Sequence, residues 1–419
     1  MAGTSDQQEL HQWRRRILVS TWLAYAGLYF CRKPFYVAKG TLVDELGFTV
    51  GELGEIGTAY LVAYTIGQFA SAWLGQRRGA RALLLVGIGA SILCNVAFGF
   101  TNSYWPLFAF MSLNGLAQAT GWPAVVGTLG RWTRRSERGT VMGLWGTCYQ
   151  LGGVAASMWA AFWLARLGIR GAFLMASAVL FICWIAVALW QRNRPEDVGL
   201  PPLEPSEAGE EADDAPSPWT RALITNLLLL GVFYFGIKFI RYAIWSWTPF
   251  LLEKNFGLAV DDAGYLSTVF DLAGFAGVVV AGIVSDRYFR GKRTPPSFLM
   301  VLGMMGGCAA LHFVGGSSLL LFGCCLGVIG FMLYGPDSLL AGAGAVEVGS
   351  PRLAVATAGI INGMGSIGAV VQELVVSNLL DADGGDTGPI FAVLWGASLL
   401  SVAALSVILL RNRKGQAHL

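Results

Sequence analysis

The stretch ILVSTWLAYAGLYFCRKPFYVA, residues 17–38, decides the fold. It is apolar over a length that crosses a bilayer as a helix, because about 20 residues rising 1.5 Å each cover the hydrocarbon core. It also carries Arg32 and Lys33 well inside its boundaries. A cation at the centre of a spanning helix costs roughly 2.5–3.5 kcal/mol on insertion scales, so an intramembrane charge points to function. A second stretch, residues 220–250, repeats the pattern with Lys238 and Arg241.

Working outward, apolar runs of similar length recur through all 419 residues, of which 55% are hydrophobic and 13% charged. A soluble protein of this size cannot hide that much apolar surface. In lipid such runs must be helices, since backbone groups find no water to bond. Spans are expected at 17–38, 54–75, 81–101, 105–130, 139–165, 170–190, 220–250, 262–284, 297–315, 317–345, 353–379 and 388–410. The expectation is an all-α membrane protein with twelve transmembrane helices. The 55 glycines fit close helix–helix contacts. The seven cysteines all fall within spans without a CxxC spacing, so they read as small apolar residues, not as disulfides or metal ligands.

Charge sets the orientation. Most of the 29 Lys and Arg gather in loops on one side, with only Lys39, Arg166, Arg170 and Lys254 on the other. That bias predicts both termini in the cytoplasm. The net charge of +3 reflects this topology and not nucleic-acid binding. The first hydrophobic stretch lacks a small-residue cleavage site and is expected to stay as a span. Short loops fit a bacterial inner membrane, and a monomer would suffice.

The chain reads as two six-helix pseudo-symmetric halves, 1–191 and 220–419, joined by a linker at 192–219 that is rich in proline and acid. Gly47-Phe-Thr-Val-Gly-Glu-Leu-Gly54 corresponds to Gly257-Leu-Ala-Val-Asp-Asp-Ala-Gly264. Gln76-Arg77 matches Asp286-Arg287 at the same offset, and Arg192-Asn-Arg194 matches Arg411-Asn-Arg413. Arg32 and Arg241 are repeat mates to within one residue. Two repeated halves around a central site is a plan typical of transporters.

The candidate site starts from Arg32, Arg241, Lys33 and Lys238. Neither span holds an acid near its cations, and a guanidinium presents a planar fork suited to phosphate or carboxylate oxygens. Salt-bridged or snorkelling cations are the alternative. Lys238 and Arg241, three apart, share a helix face, whereas Arg32 and Lys33 would diverge by about 100° on a regular helix. Tyr29 and Tyr25 lie on the same span, with Trp122 and Tyr149 from others; tyrosine hydroxyls can donate to an anion while the rings exclude water. Gln68, Asn114 and Gln118 are either helix–helix hydrogen bonds or cavity polars. Asp271, Asp337 and Glu373 are possible coupling or salt-bridge groups, with Glu373 expected near a helix end. No Walker loop, metal-ligand cluster or nucleophile–base pair is visible, so neither a cofactor, a metal nor enzymatic chemistry is expected.

Several motifs together carry a family resemblance. They are Tyr29-Phe-Cys-Arg-Lys33, Asn114-Gly-Leu-Ala-Gln118 leading to Gly121-Trp-Pro123, and Pro195-Glu-Asp-Val-Gly-Leu-Pro-Pro202. Arg241-Tyr242 through Trp247-Thr-Pro249, Ser285-Asp-Arg287 with Arg290-Gly-Lys-Arg293, and Tyr334-Gly-Pro336 complete them. On these the chain resembles the major facilitator superfamily, and within it the organophosphate:phosphate antiporters of glycerol phosphate and hexose phosphates. The resemblance implies the major facilitator fold and a phosphate moiety held between Arg32 and Arg241. It implies an organic phosphate exchanged for inorganic phosphate by alternating access, and gating loops around Arg77, Asp286 and Arg287. Where glycerol-phosphate carriers have a Lys, a His and an Asp, this chain has Gln68, Tyr149 and Ser246. Some members of this family sense external sugar phosphate instead of transporting it, and that alternative stays open. So does a proton-coupled carrier of another anion using Asp271 or Asp337.

Overall fold

The computed structural model describes residues 4–134, 141, 144–203, 220–289, 293–340, 354–382 and 387–413. Among them there is no strand. The helices are α1 (Thr4–Phe30), α2 (Lys33–Val37), α3 (Lys39–Leu46), α4 (Val50–Arg78), α5 (Ala80–Gly99), α6 (Tyr104–Gln118) and α7 (Gly121–Trp132). They continue as α8 (Thr147–Trp190), α9 (Arg221–Phe256), α10 (Val260–Tyr288), α11 (Thr294–Val314), α12 (Leu319–Ser338), α13 (Ala354–Ala382) and α14 (Gly388–Arg413). Eight of the described helices are long and apolar enough to cross a membrane. Large apolar side chains such as Val86, Leu93, Ile182 and Leu320 lie exposed along them, as a lipid-facing surface requires.

The sequence explains where these helices break. Pro34, in the first turn of α2, has no N–H to give, so the first span is interrupted between Phe30 and Lys33. Pro123 marks the break between α6 and α7. The 44 residues of α8 contain one non-helical residue, Gly168 (φ 64°, ψ −167°). That left-handed backbone favours glycine. The two arms of α8 match the fifth and sixth expected spans, and the pattern is consistent with twelve crossings.

Contacts divide the chain into two compact units. Unit 1 is Met1–Thr41 with Ala59–Asp214, and unit 2 is Leu42–Thr58 with Ala215–Leu419. In unit 1, α1 packs along α8, and α5 along α6 and α8. Gly115 of α6 lies so close to the Tyr60 carbonyl of α4 that a Cβ would collide with it. In unit 2, α9 packs on α13 and α14, and α10 on α12. There Gly277 and Gly330 admit the carbonyls of Phe331 and Phe270. Small residues of this kind let membrane helices approach closely.

Unit 2 also contains the start of α4. Its Gly51, Gly54 and Gly57 face Asp381, Ser377 and Glu373 of α13, and a Cβ on Gly57 would lie 2.6 Å from the Glu373 carboxylate. Beside this seam Lys254 Nζ pairs with Asp44 at 2.7 Å. The repeat mates Gly47 and Gly257 share one backbone conformation, with φ of 71° and 63°.

Candidate functional site

In unit 1 the site is built on the break after α1. The Arg32 amide turns back to the Tyr29 carbonyl at 3.0 Å, so it is not available to the Leu28 carbonyl one turn earlier. Gln118 of α6 fills that vacancy by donating Nε2 to Leu28 O at 3.1 Å. Asn114, one turn earlier on α6, donates to Cys31 O at 2.8 Å. Ser91 of α5 completes the network by donating to Asn114 Oδ1 at 2.6 Å. Two neutral amides thus satisfy carbonyls that the broken helix exposes.

The same Gln118 holds the cation. Arg32 Nε donates to Gln118 Oε1 at 2.9 Å, and the Tyr60 hydroxyl donates to that oxygen at 2.9 Å. The Arg32 guanidinium is surrounded by the rings of Tyr29, Tyr60 and Tyr64 at 5.0, 5.5 and 5.2 Å. Arg32 is only 7% exposed, and no carboxylate pairs with it among the described residues. Cation–π contacts are worth about 0.5–2 kcal/mol each, which helps to hold a charge there without cancelling it.

Tyr25 extends this wall. Its ring lies 6.2 Å from Tyr29, 6.2 Å from Trp122 and 4.9 Å from Tyr149. Trp145 joins it at 5.3 Å. The structure therefore gathers Arg32, Tyr29, Tyr25, Trp122 and Tyr149 into one neighbourhood. Lys33 is buried at the start of α2. The break removes the premise that it diverges from Arg32 by the step of a regular helix. Gln68 is half-buried about two turns beyond Tyr60 on α4.

In unit 2 the cations have different partners. Arg241 Nη1 donates to Asp337 Oδ2 of α12 at 2.8 Å. Its guanidinium lies 4.6 Å from the Tyr334 ring, and the Tyr334 hydroxyl donates to Asp271 Oδ1 of α10. Arg241, Asp337 and Asp271 are thus linked through one tyrosine. Lys238, 8% exposed, donates to Asn362 Oδ1 at 2.7 Å and Ser366 Oγ at 3.4 Å, and lies 5.0 Å from the Tyr234 ring. No carboxylate is within ion-pair distance of it among the described residues.

Glu373 differs from its expected place. It sits inside α13, wholly buried, not near a helix end. It accepts from Ser246 Oγ at 2.8 Å and Gln372 Nε2 at 2.9 Å. Lys39, counted among the few cations on the face opposite the cytoplasm, is likewise wholly buried, near the Phe35 and Tyr36 rings. Of the expected gating residues, Arg287 is exposed at the end of α10, while the side chains of Arg77 and Asp286 lie outside those described.

Sequence reasoning missed Tyr60, Ser91, Trp145, Asn362 and Ser366. The four-residue spacing of Asn114 and Gln118 was a usable sign that both face one neighbour. For Asn362 and Ser366 the same spacing exists, but nothing in sequence ties it to Lys238.

The model of the Major Facilitator Superfamily matches residues 21–373. The chain belongs to the Major Facilitator Superfamily. As a member it is an integral membrane protein of a transporter family, not an enzyme. It is 28% identical to the membrane sensor protein UhpC of Escherichia coli (strain K12), covering 88% of this chain and 86% of the relative. It is 30% identical to sugar phosphate exchanger 3 of Bos taurus, covering 78% and 74%. Its fold is similar to a bacterial homolog of the human lysosomal transporter Spinster, solved in an inward-facing and unoccupied conformation. There the TM-score is 0.74 at 14% identity, over 95% of each chain. This superfamily member thus has the major facilitator fold.

Proposed function

We propose that the protein exchanges an organic phosphate, of the sugar-phosphate or glycerol-phosphate kind, for inorganic phosphate. The observation that carries this reading is Arg32, a buried guanidinium whose partners among the described residues are all neutral. A charge kept out of water without a counter-ion favours an anion that restores the lost interactions. Guanidinium binds phosphate oxygens with charge-assisted hydrogen bonds. The names of the relatives support the same substrate class, and the repeat supports alternating access by two halves, 1–191 and 220–419, about a linker at 192–219. Arg32, Lys33, Tyr29, Tyr25, Trp122, Tyr149 and Gln68 would bind from the first half, and Lys238 and Arg241 from the second. Asp271, Asp337 and Glu373 would balance their charge, and Arg77, Asp286 and Arg287 would lie in the gating loops. The setting is a bacterial inner membrane, with both termini cytoplasmic and a monomer as the working unit.

Exchange follows from the charge. A state that binds the anion better than its alternative is favoured by the anion. An empty site with a bare buried cation has no such help in closing, so the loaded carrier reorients faster than the empty one. The test is entry of labelled phosphate into proteoliposomes filled with or without phosphate. Fast entry that needs internal phosphate, and that Arg32→Gln abolishes, supports the reading. Similarity to UhpC favours a second reading, a sensor. Phosphate or sugar-phosphate binding without exchange would select it, and uptake driven by a pH gradient without internal phosphate would select a proton-coupled carrier.

A further inference from the structure

The two half-sites differ in how their arginines are satisfied. Arg32 is held by an amide oxygen and three tyrosine rings, whereas Arg241 already holds a carboxylate, Asp337, at 2.8 Å. We infer that Asp337 is a tethered counter-anion that competes with the substrate phosphate for Arg241, an inference that rests on the phosphate-exchange reading above.

Three observations support competition over a purely structural pair. First, the Asp337 carboxylate makes with Arg241 the charge-assisted hydrogen bond that a phosphate oxygen would make, so the two compete for that N–H. Second, a displaced Asp337 has another cation at hand. Lys238 lies three residues before Arg241, on the same helix face. Lys238 is now held by neutral groups, Asn362 and Ser366, which it can leave without stranding a charge. Third, the frame behind the pair is closely packed. Gly330 of α12 meets the Phe270 carbonyl of α10, and Tyr334, one turn before Asp337, bonds to Asp271. The carboxylate is thus presented by a packed pair of helices.

A tethered competitor would weaken phosphate binding and keep release fast, which suits an exchanger working against abundant phosphate. The test compares wild type, Asp337→Asn and Asp337→Glu, purified in detergent, by calorimetric titration with inorganic phosphate and by thermal unfolding with and without it. Asp337→Asn should bind phosphate about tenfold more tightly, and phosphate should raise its Tm more than that of wild type. Asp337→Glu, which keeps the charge, should stay near wild type in affinity. If Asp337→Asn is too unstable to purify, Asp337→Ser purified in phosphate carries the same comparison. Equal or weaker phosphate binding by the neutral variants, or a loss of Tm that phosphate does not repair, would show a structural pair and overturn the inference. In that case phosphate binding by wild type, lost in Arg32→Gln, leaves the exchange reading standing. Absence of phosphate binding by every protein, wild type included, overturns both.

Discussion

At the scale of the residue, Gln118 has two tasks. One end fills a carbonyl left open by the helix break, and the other fixes the Arg32 guanidinium. Gln118→Leu removes both at nearly constant size. It strands the Leu28 carbonyl, at about 1–3 kcal/mol, and frees Arg32 from its anchor. We expect a higher KM for phosphate exchange, by tenfold or more, together with a lower Tm. Tyr60→Phe removes only one hydrogen bond to the same oxygen and keeps the ring. It should cost about 0.5–1.5 kcal/mol of stability and change KM less than Gln118→Leu does. An equal effect of both changes on KM would show that Gln118 does not position Arg32. The cations themselves were legible in the sequence, because charge inside an apolar run stands out. Their partners were not. Asp337 lies on another span from Arg241, and the sequence alone left it as either a coupling group or a salt-bridge partner without naming the cation it would pair.

At the scale of the element, the breaks in the spans position the chemistry. Pro34 interrupts the first span just after Arg32. Pro34→Ala supplies an N–H and removes the ring, so α1 can continue further as regular helix. Exchange should fall while Tm holds or rises, a combination that a simple packing defect would not produce. Assays of transport and of thermal unfolding on the same preparation check it. A second element-level case is the glycine seam of α4. Gly57→Leu forces a branched side chain against Glu373, where even a Cβ comes within 2.6 Å of the carboxylate. Overpacking of this kind costs typically about 1–3 kcal/mol, and Tm should drop accordingly; an unchanged Tm would mean that the seam opens at no cost. The proline and glycine positions were visible in sequence. The consequence that a broken helix recruits Gln118 and Asn114 was not, since it depends on how α6 lies against α1.

At the scale of the whole molecule, the repeat was the most legible feature. Its mates Gly47 and Gly257 turn out to share the same left-handed backbone. Less legible was the partition of contacts, which joins residues 42–58 to the second half. Sequence period identifies a helix but not the neighbour that its end selects. The orientation of the chain is open to direct measurement. Reporter fusions active only in the cytoplasm should be active at both termini and inactive when inserted after Arg166. The opposite pattern would invert the topology.

The bare charge of Arg32 has a consequence for voltage. An elementary charge moved across a full 100 mV gains or loses about 2.3 kcal/mol. If the empty site carries a net positive charge through part of that field, an interior-negative membrane draws it toward the cytoplasm. A resting cell would then park the unloaded protein facing inward, where internal phosphate waits. Collapsing the membrane potential would shorten the wait for the first outside substrate without touching the affinity of either site.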